Sequence, residues 1–318
     1  MPTPLSILDL APIVEGGTAA EALRNSADLV QRAEQLGYAR YWVAEHHLTP
    51  GVASSQPALL LGHLASVTST IRLGSGAVQT GHQTALSIVE QFGMLDALYP
   101  GRFDLGLGRS GQRRTEALTE LKKATPPPPK PARVVDGLLL PAAYNSAQLL
   151  ATERFAAYER LLQQEGATAA DFGVQVKEIL ALLGGTYDGG GVELHAVPGE
   201  GADVQVWLLG SSGGQSARVA GALGLPFTAN YHVTPSTVLE AVEAYRAAFQ
   251  PSAVLSAPRV MVSADVVVAP DDATARDLAA PHGLWVRSIR AGGGAIPVPS
   301  AATAAAHEWT DEDRALVA

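Results

Sequence analysis

Arg40-Tyr41-Trp42-Val43-Ala44, Ile71-Arg72-Leu73-Gly74-Ser75 and Arg102-Phe103-Asp104-Leu105-Gly106-Leu107 are three short apolar runs, and residues 56–68 and 84–98 between them carry helical periodicity. Apolar runs of this length bounded by turn residues read as strands, and strands alternating with helices read as a parallel sheet. Upstream, Ser6-Ile7-Leu8-Asp9-Leu10 reads as another strand and residues 18–36 as another helix. Thr18 is its N-cap, Glu21 completes a capping box, and Gly37 stands where a helix stops. The alternation returns downstream, with strands at 204–209, 226–229 and 260–268 and helices at 215–223, 235–249 and 271–278; a last helix is expected within 308–317. Seven strand–helix units in one chain of this length favour an α/β fold of the (β/α)8 TIM-barrel type over an open sheet. The eighth unit is absent from the chain or lies outside this sequence.

Residues 1–318 read as one barrel domain with two irregular segments. From 110 to 146 the rhythm breaks into Gln112-Arg113-Arg114, Lys122-Lys123 and Pro126-Pro127-Pro128-Pro129. Four consecutive prolines exclude a helix interior or a central strand, so this is an extended surface excursion. Helices resume at 147–165 and 171–183, and residues 184–201 form a glycine-rich loop or small hairpin. The second irregular segment is 283–306, with Gly292-Gly293-Gly294 in its middle.

Composition narrows the chemistry. The 318 residues include 22 Lys and Arg against 31 Asp and Glu, a formal charge of −9, which argues against nucleic acid or an anionic membrane as the main partner. Hydrophobic residues make up 47%, enough for a large core. No cysteine is present, which removes disulfides, thiolate metal sites and a cysteine nucleophile together. Met1–Asp9 has neither a basic start nor a long apolar stretch, and no run approaches the roughly 20 residues that span a bilayer, so the cytoplasm is the expected location.

The candidate functional residues fall after strand ends, the face that carries chemistry in barrels. Glu45-His46-His47 follows the second strand; adjacent histidines point to opposite sides and make a poor metal pair, so no metal site is expected, and one of them faces the barrel mouth as a proton carrier or both merely bond loop backbone. Gly106-Leu107-Gly108-Arg109-Ser110-Gly111 matches a dinucleotide fingerprint in letters only, because no helix follows at once and no acid closes a second strand. Arg109 reads better as a guanidinium for a phosphate, or as a solvated residue of a glycine turn. Gly210-Ser211-Ser212-Gly213-Gly214 opens a helix with free N–H groups and hydroxyls, an anion loop or ordinary capping. Ser75-Gly76-Ala77 allows a ligand to approach the backbone or is a plain turn. Asn230-Tyr231-His232 ends the sixth strand, with His232 toward the same mouth. On the residues alone, this is a barrel that binds a phosphate-bearing ligand near a histidine.

Tyr41-Trp42-Val43-Ala44-Glu45-His46-His47, Arg72-Leu73-Gly74-Ser75-Gly76, the stretch from Tyr99 to Arg109, and Trp207-Leu208-Leu209-Gly210-Ser211-Ser212-Gly213-Gly214 together resemble the bacterial luciferase-like flavin monooxygenase family, in the same order and over most of the chain. The resemblance implies a (β/α)8 barrel and an enzyme that uses reduced FMN and oxygen on a small organic substrate. It implies His46 as the active-site histidine, Arg109 with Ser211, Ser212 and Gly213 at the flavin phosphate, and Ser75, Gly76 and Ala77 behind the flavin ring, with a cis peptide at Gly76–Ala77. It also implies a mobile lid over 283–306, a separate flavin reductase as the source of reduced flavin, and a homodimer through the second and third helices. A deazaflavin-dependent hydride-transfer enzyme and a non-catalytic flavin-binding subunit are the alternatives on the same scaffold.

Overall fold

The computed structural model describes residues 3–109, 119, 131–144 and 150–317. Seven parallel strands build its main sheet in the order β1 (Ser6–Asp9), β2 (Arg40–Val43), β3 (Arg72–Ser75), β5 (Phe103–Gly108), β8 (Gln205–Gly210), β9 (Phe227–Asn230) and β10 (Val260–Ser263). The two-residue β4 (Val78–Gln79) adds to β5. β1 and β10 end the order, so the sheet curls into a nearly closed barrel with one open seam between them, as the count of seven units requires.

The crossovers are helices: α1 (Ala19–Gln35), α2 (Pro57–Ser66), α3 (Ala85–Leu98), α5 (Phe172–Leu183), α6 (Gln215–Ala222) and α7 (Val238–Ala248). Between α3 and α5 lies α4 (Glu153–Leu162). The capping box on α1 forms as read: the Glu21 N–H donates to Thr18 Oγ1 and the Thr18 N–H donates to Glu21 Oε2 at 2.8 Å. Thr84 and Asp171 cap α3 and α5 in the same way, each accepting an N–H three residues on.

Two apolar layers result. Phe92, Phe103, Phe172, Phe227 and Tyr245 are fully buried between sheet and helices, and each such side chain contributes on the order of 2 kcal/mol through removal from water. Inside the barrel, Trp42 and Trp207 meet edge to face with ring centroids 5.5 Å apart, flanked by Leu8, Ala77, Leu209 and Met261. Below them, buried Asp104 accepts from Trp42 Nε1 and Arg72 Nε, both at 2.9 Å, and pairs with Arg40 Nε at 2.9 Å. This knot closes the floor, and the opposite end stays open.

Three stretches depart from the sequence reading. Within 110–146, residues 133–140 form an antiparallel hairpin, β6 (Arg133–Val135) and β7 (Leu138–Leu140), turned by Asp136-Gly137, both with positive φ. The polyproline run, Gln112–Arg114, Lys122–Lys123 and the start of the 147–165 helix lie outside the described residues. The strand expected over 260–268 pairs only as far as Ser263, because β9 ends at Asn230 and among the described residues no strand pairs with it on the seam side; Val266 and Val268 are left 75% and 86% exposed. The helix expected to end at 278 continues as α8 (Asp272–Arg290) through Pro281, so the first part of the 283–306 segment is helical. Residues 295–298 are stitched to the loops after β1 and β2, with Gly51 N donating to Ala295 O at 2.8 Å and Val298 N to Ile13 O at 2.7 Å. The chain then forms α9 (Ala301–Ala306) and α10 (Asp311–Val317). Among the described residues no helix is long and apolar enough to cross a membrane.

Candidate active site at the barrel mouth

The segment after β2 is extended, so alternate residues face opposite ways. Glu45 and His47 turn to one side and His46 to the other. Glu45 is buried, and its Oε1 accepts from His47 Nε2 at 2.9 Å and from His82 Nε2 at 2.8 Å. Its Oε2 accepts the Gln79 backbone N–H at 3.0 Å, and Gln79 Nε2 donates back to the Glu45 carbonyl at 2.5 Å. Gln83 Nε2 adds a longer contact at 3.4 Å. Burial alone would raise the Glu45 carboxyl; the bonds from His47, His82 and Gln79 outweigh it and hold the group below the usual carboxylate range. Among the described residues this is the one cluster of three side chains with metal-ligand spacing, but four hydrogen-bond donors already saturate the carboxylate.

His46 is the opposite case. Its backbone N–H is fixed on Ser54 O at 2.9 Å, while the residue keeps solvent access with protein packed around its ring. That enclosure lowers the imidazole from its ordinary value, His47 and His232 lower it further, and Glu45 acts the other way. The neutral form, able to accept a proton at a ring nitrogen, is therefore favoured.

The other predicted residues gather at the strand ends on this face. The Gly76–Ala77 peptide is cis, as anticipated, and Ala77 packs with the tryptophan cluster inside the barrel. Ser75 differs from its neighbours: its Oγ donates to Gly106 O at 2.9 Å and accepts Gly106 N–H at 3.0 Å, so its hydroxyl is spent on strand β5 and the residue is fully buried. Arg109, just past β5, donates from Nη1 to Gln215 Oε1 at 3.1 Å, and Gln215 Nε2 donates to Asp171 Oδ2 at 2.6 Å. This relay holds the guanidinium beside the loop between β8 and α6. In that loop, Ser211 is buried with its carbonyl accepting from Thr237 Oγ1, Gly213 rests on α7, and Ser212 lies half-buried. A Cβ on Gly214 would stand 3.2 Å from Ser212 Oγ and 3.7 Å from Arg109 Nη2, so its absence keeps a small polar cradle open between guanidinium, hydroxyl and helix N-terminus. The residues fit a phosphate group.

Sequence reasoning missed His82, Gln79 and Gly214. His82 is 37 positions from Glu45, and only the parallel pairing of β2 with β3 brings it back. Gly214 stood in the quoted loop, and its value appears only once Arg109 is placed against it.

Comparison with known proteins gives the family and the fold. The Bacillus subtilis (strain 168) protein YvbT is 42% identical over 282 residues, covering 88% of this chain and 70% of its own. The N-acetyl-S-alkylcysteine monooxygenase of the same organism is 50% identical over 123 residues, 37% of each chain. The crystal structure of apo-MsnO8 superposes with a TM-score of 0.73 at 32% identity, covering 95% of this chain and 77% of that one. The family model described as luciferase-like monooxygenase matches residues 3–136 and 176–316, and the chain belongs to that family.

Proposed function

We propose that the protein is a flavin-dependent monooxygenase that uses reduced FMN and oxygen on a small organic substrate. The carrying observation is the cradle at one end of the mouth, Arg109 fixed by Gln215 beside Ser212 and Gly214, with the neutral, accessible His46 at the other. Arg109, the Ser211–Gly213 backbone and Ser212 would hold the FMN phosphate. The Ser75–Ala77 backbone would border the ring. Bound reduced FMN supplies the two electrons with which one oxygen atom of O2 enters the substrate and the other leaves as water. His46 receives or returns a proton at a ring nitrogen, and Glu45 with its two histidines keeps the segment that carries it in place. Residues 283–306 serve as the cover of the mouth, limiting water.

A thioether carrying a carboxylate is the first substrate class to try, because the N-acetyl-S-alkylcysteine monooxygenase is half identical over the stretch it shares. We place the reaction in the cytoplasm, with a separate flavin reductase supplying reduced FMN. The protein acts as a homodimer through α2 and α3, where Leu59, Leu86, Met94 and Leu98 are exposed.

The test is an FMN titration followed by fluorescence, then turnover with FMN, NADH, a flavin reductase and N-acetyl-S-methylcysteine or a long-chain aldehyde under 18O2. Binding of FMN, roughly 10- to 100-fold weaker in Arg109→Ala, and one labelled oxygen in the product are the expected results. Reduction of a deazaflavin by an alcohol, with no FMN affinity, would instead establish hydride transfer.

A further inference from the structure

A second histidine stands at the same mouth. His232 lies two residues beyond the end of β9, as His46 lies just beyond β2. In the sheet order these strands are each one position in from the open seam, β2 beside β1 and β9 beside β10, so both histidines flank it at the open end. His232 is pinned twice to the last residue of β10: its N–H donates to Ser263 O at 3.2 Å and its Nδ1 bonds Ser263 Oγ at 2.6 Å.

The identity of that partner matters. A carboxylate on Nδ1 can only accept, which would make Nε2 an acceptor alone until the ring is charged. A hydroxyl both donates and accepts, so Ser263 tolerates either neutral tautomer and leaves Nε2 able to give or to take a proton. Burial lowers this imidazole too, Asp265 after β10 acts to raise it, and His282 of α8 to lower it. His232 in turn is one of the groups that disfavour a charge on His46.

We propose that His232 is a second proton-transferring residue of this site, working opposite His46, with Ser263 as its positioning residue. The inference rests on the monooxygenase reading for the reaction served. One histidine, neutral, takes a proton from the substrate at its free ring nitrogen and becomes imidazolium, while the other enters the step as imidazolium, charged from solvent, and gives its Nε2–H to the oxygen-bearing product, ending neutral with its remaining proton on Nδ1. The pair ends with the same number of protons it began with, the charge having moved from one ring to the other, and proton exchange with solvent in the mouth restores the starting charge states. A substrate that both loses and gains a proton as oxygen is inserted is therefore the class this arrangement suits.

The test is an imidazole 15N NMR titration of the whole chain, in the wild type and in His46→Gln, His232→Gln and Ser263→Ala. Each glutamine substitution should raise the midpoint of the remaining histidine by about 0.5 pH unit, since a nearby positive charge can no longer form. Ser263→Ala should change the His232 tautomer balance. With any substrate turned over, His232→Gln should lower kcat roughly 100-fold while FMN affinity holds. If neither midpoint responds to loss of the other ring, His232 is a structural residue and the proposal falls. If the midpoints are coupled but FMN does not bind, the monooxygenase reading fails and the facing pair stands, so the two failures are distinguishable.

Discussion

Replacing Glu45 tests the frame of the mouth. Glu45→Ala removes both carboxylate oxygens and strands three donors that have little water to turn to: His47 Nε2–H, His82 Nε2–H and the Gln79 N–H, with the two histidine side chains only 10% and 9% exposed. Each buried donor left unpaired costs about 1–3 kcal/mol, and removing one partner of a buried charged network costs about 3–5 kcal/mol, so a loss of about 4 kcal/mol is expected. Glu45→Gln should behave differently. Its amide can turn its oxygen to the Gln79 N–H and its NH2 to the two imidazoles, provided both histidines carry their proton on Nδ1 and accept at Nε2. That arrangement keeps every group satisfied and forfeits only charge assistance, about 1–2 kcal/mol. Urea unfolding at pH 7.5 measures both, and long-range 15N spectra should show the tautomers of His47 and His82 reversed in Glu45→Gln. The pH dependence follows with its sign. The folded pKa of Glu45 is depressed, so its contribution is present above the unfolded value near 4.3 and is lost as pH falls through the folded value. An alanine variant within about 1 kcal/mol of wild type, or a glutamine variant as unstable as alanine, would refute the clamp.

Three further outcomes follow. Asp104→Asn leaves the guanidiniums of Arg40 and Arg72 without their buried counter-charge and should cost about 3–5 kcal/mol by denaturant unfolding, with FMN affinity of the folded fraction unchanged. Met94→Lys, on the stripe formed by Leu86, Met94 and Leu98, should convert a dimer to monomer in light scattering; an unchanged mass would exclude α3 from the interface. Glu34, held at about 2 by burial-opposed bonds from the backbone N–H groups of Thr70, Ile71 and Ser69, supports the entry to β3 from a solvated position. Its depressed value stabilises the fold above about pH 4.3 and the effect is lost as pH falls toward 2, so Glu34→Gln should flatten the acid limb of a stability–pH curve and cost about 1 kcal/mol at neutrality.

The alternation of strands and helices was legible because its signals are local. Thr18 with Glu21 marks a helix start within four residues of sequence and its capping box forms, and Thr84 and Asp171, where two further helices were expected to begin, stand as N-caps. The Asp136-Gly137 turn was equally local, yet the neighbouring prolines drew the whole of 110–146 into one irregular segment. The valines after Ser263 misled for a different reason. Their pattern suits a strand, but a strand also needs a neighbour, and the seam supplies none on that side. Ser75 shows the limit of placing a residue by motif: the motif put it at the mouth, while the strand's two-residue period turned its hydroxyl into the sheet against Gly106.

The adjacency of Glu45, His46 and His47 has its own logic. A proton carrier at a solvent-accessible mouth must stay neutral near pH 7, yet the segment that bears it has to be held rigidly, and the strongest local holds involve charge. An extended backbone resolves the conflict by sending alternate side chains apart. The anionic clamp forms on one side through Glu45, His47 and His82, and on the other no hydrogen bond from the described residues ties the His46 ring. The remaining electrostatic influence of Glu45 on His46 works to raise it, and enclosure with His47 and His232 more than offsets it. Had the histidine of the mouth been paired directly with the carboxylate, it would have been stabilised in its charged form and lost as a base. The two-residue period thus separates the group that is locked from the group that would react under the proposed function, while leaving only one peptide bond between them.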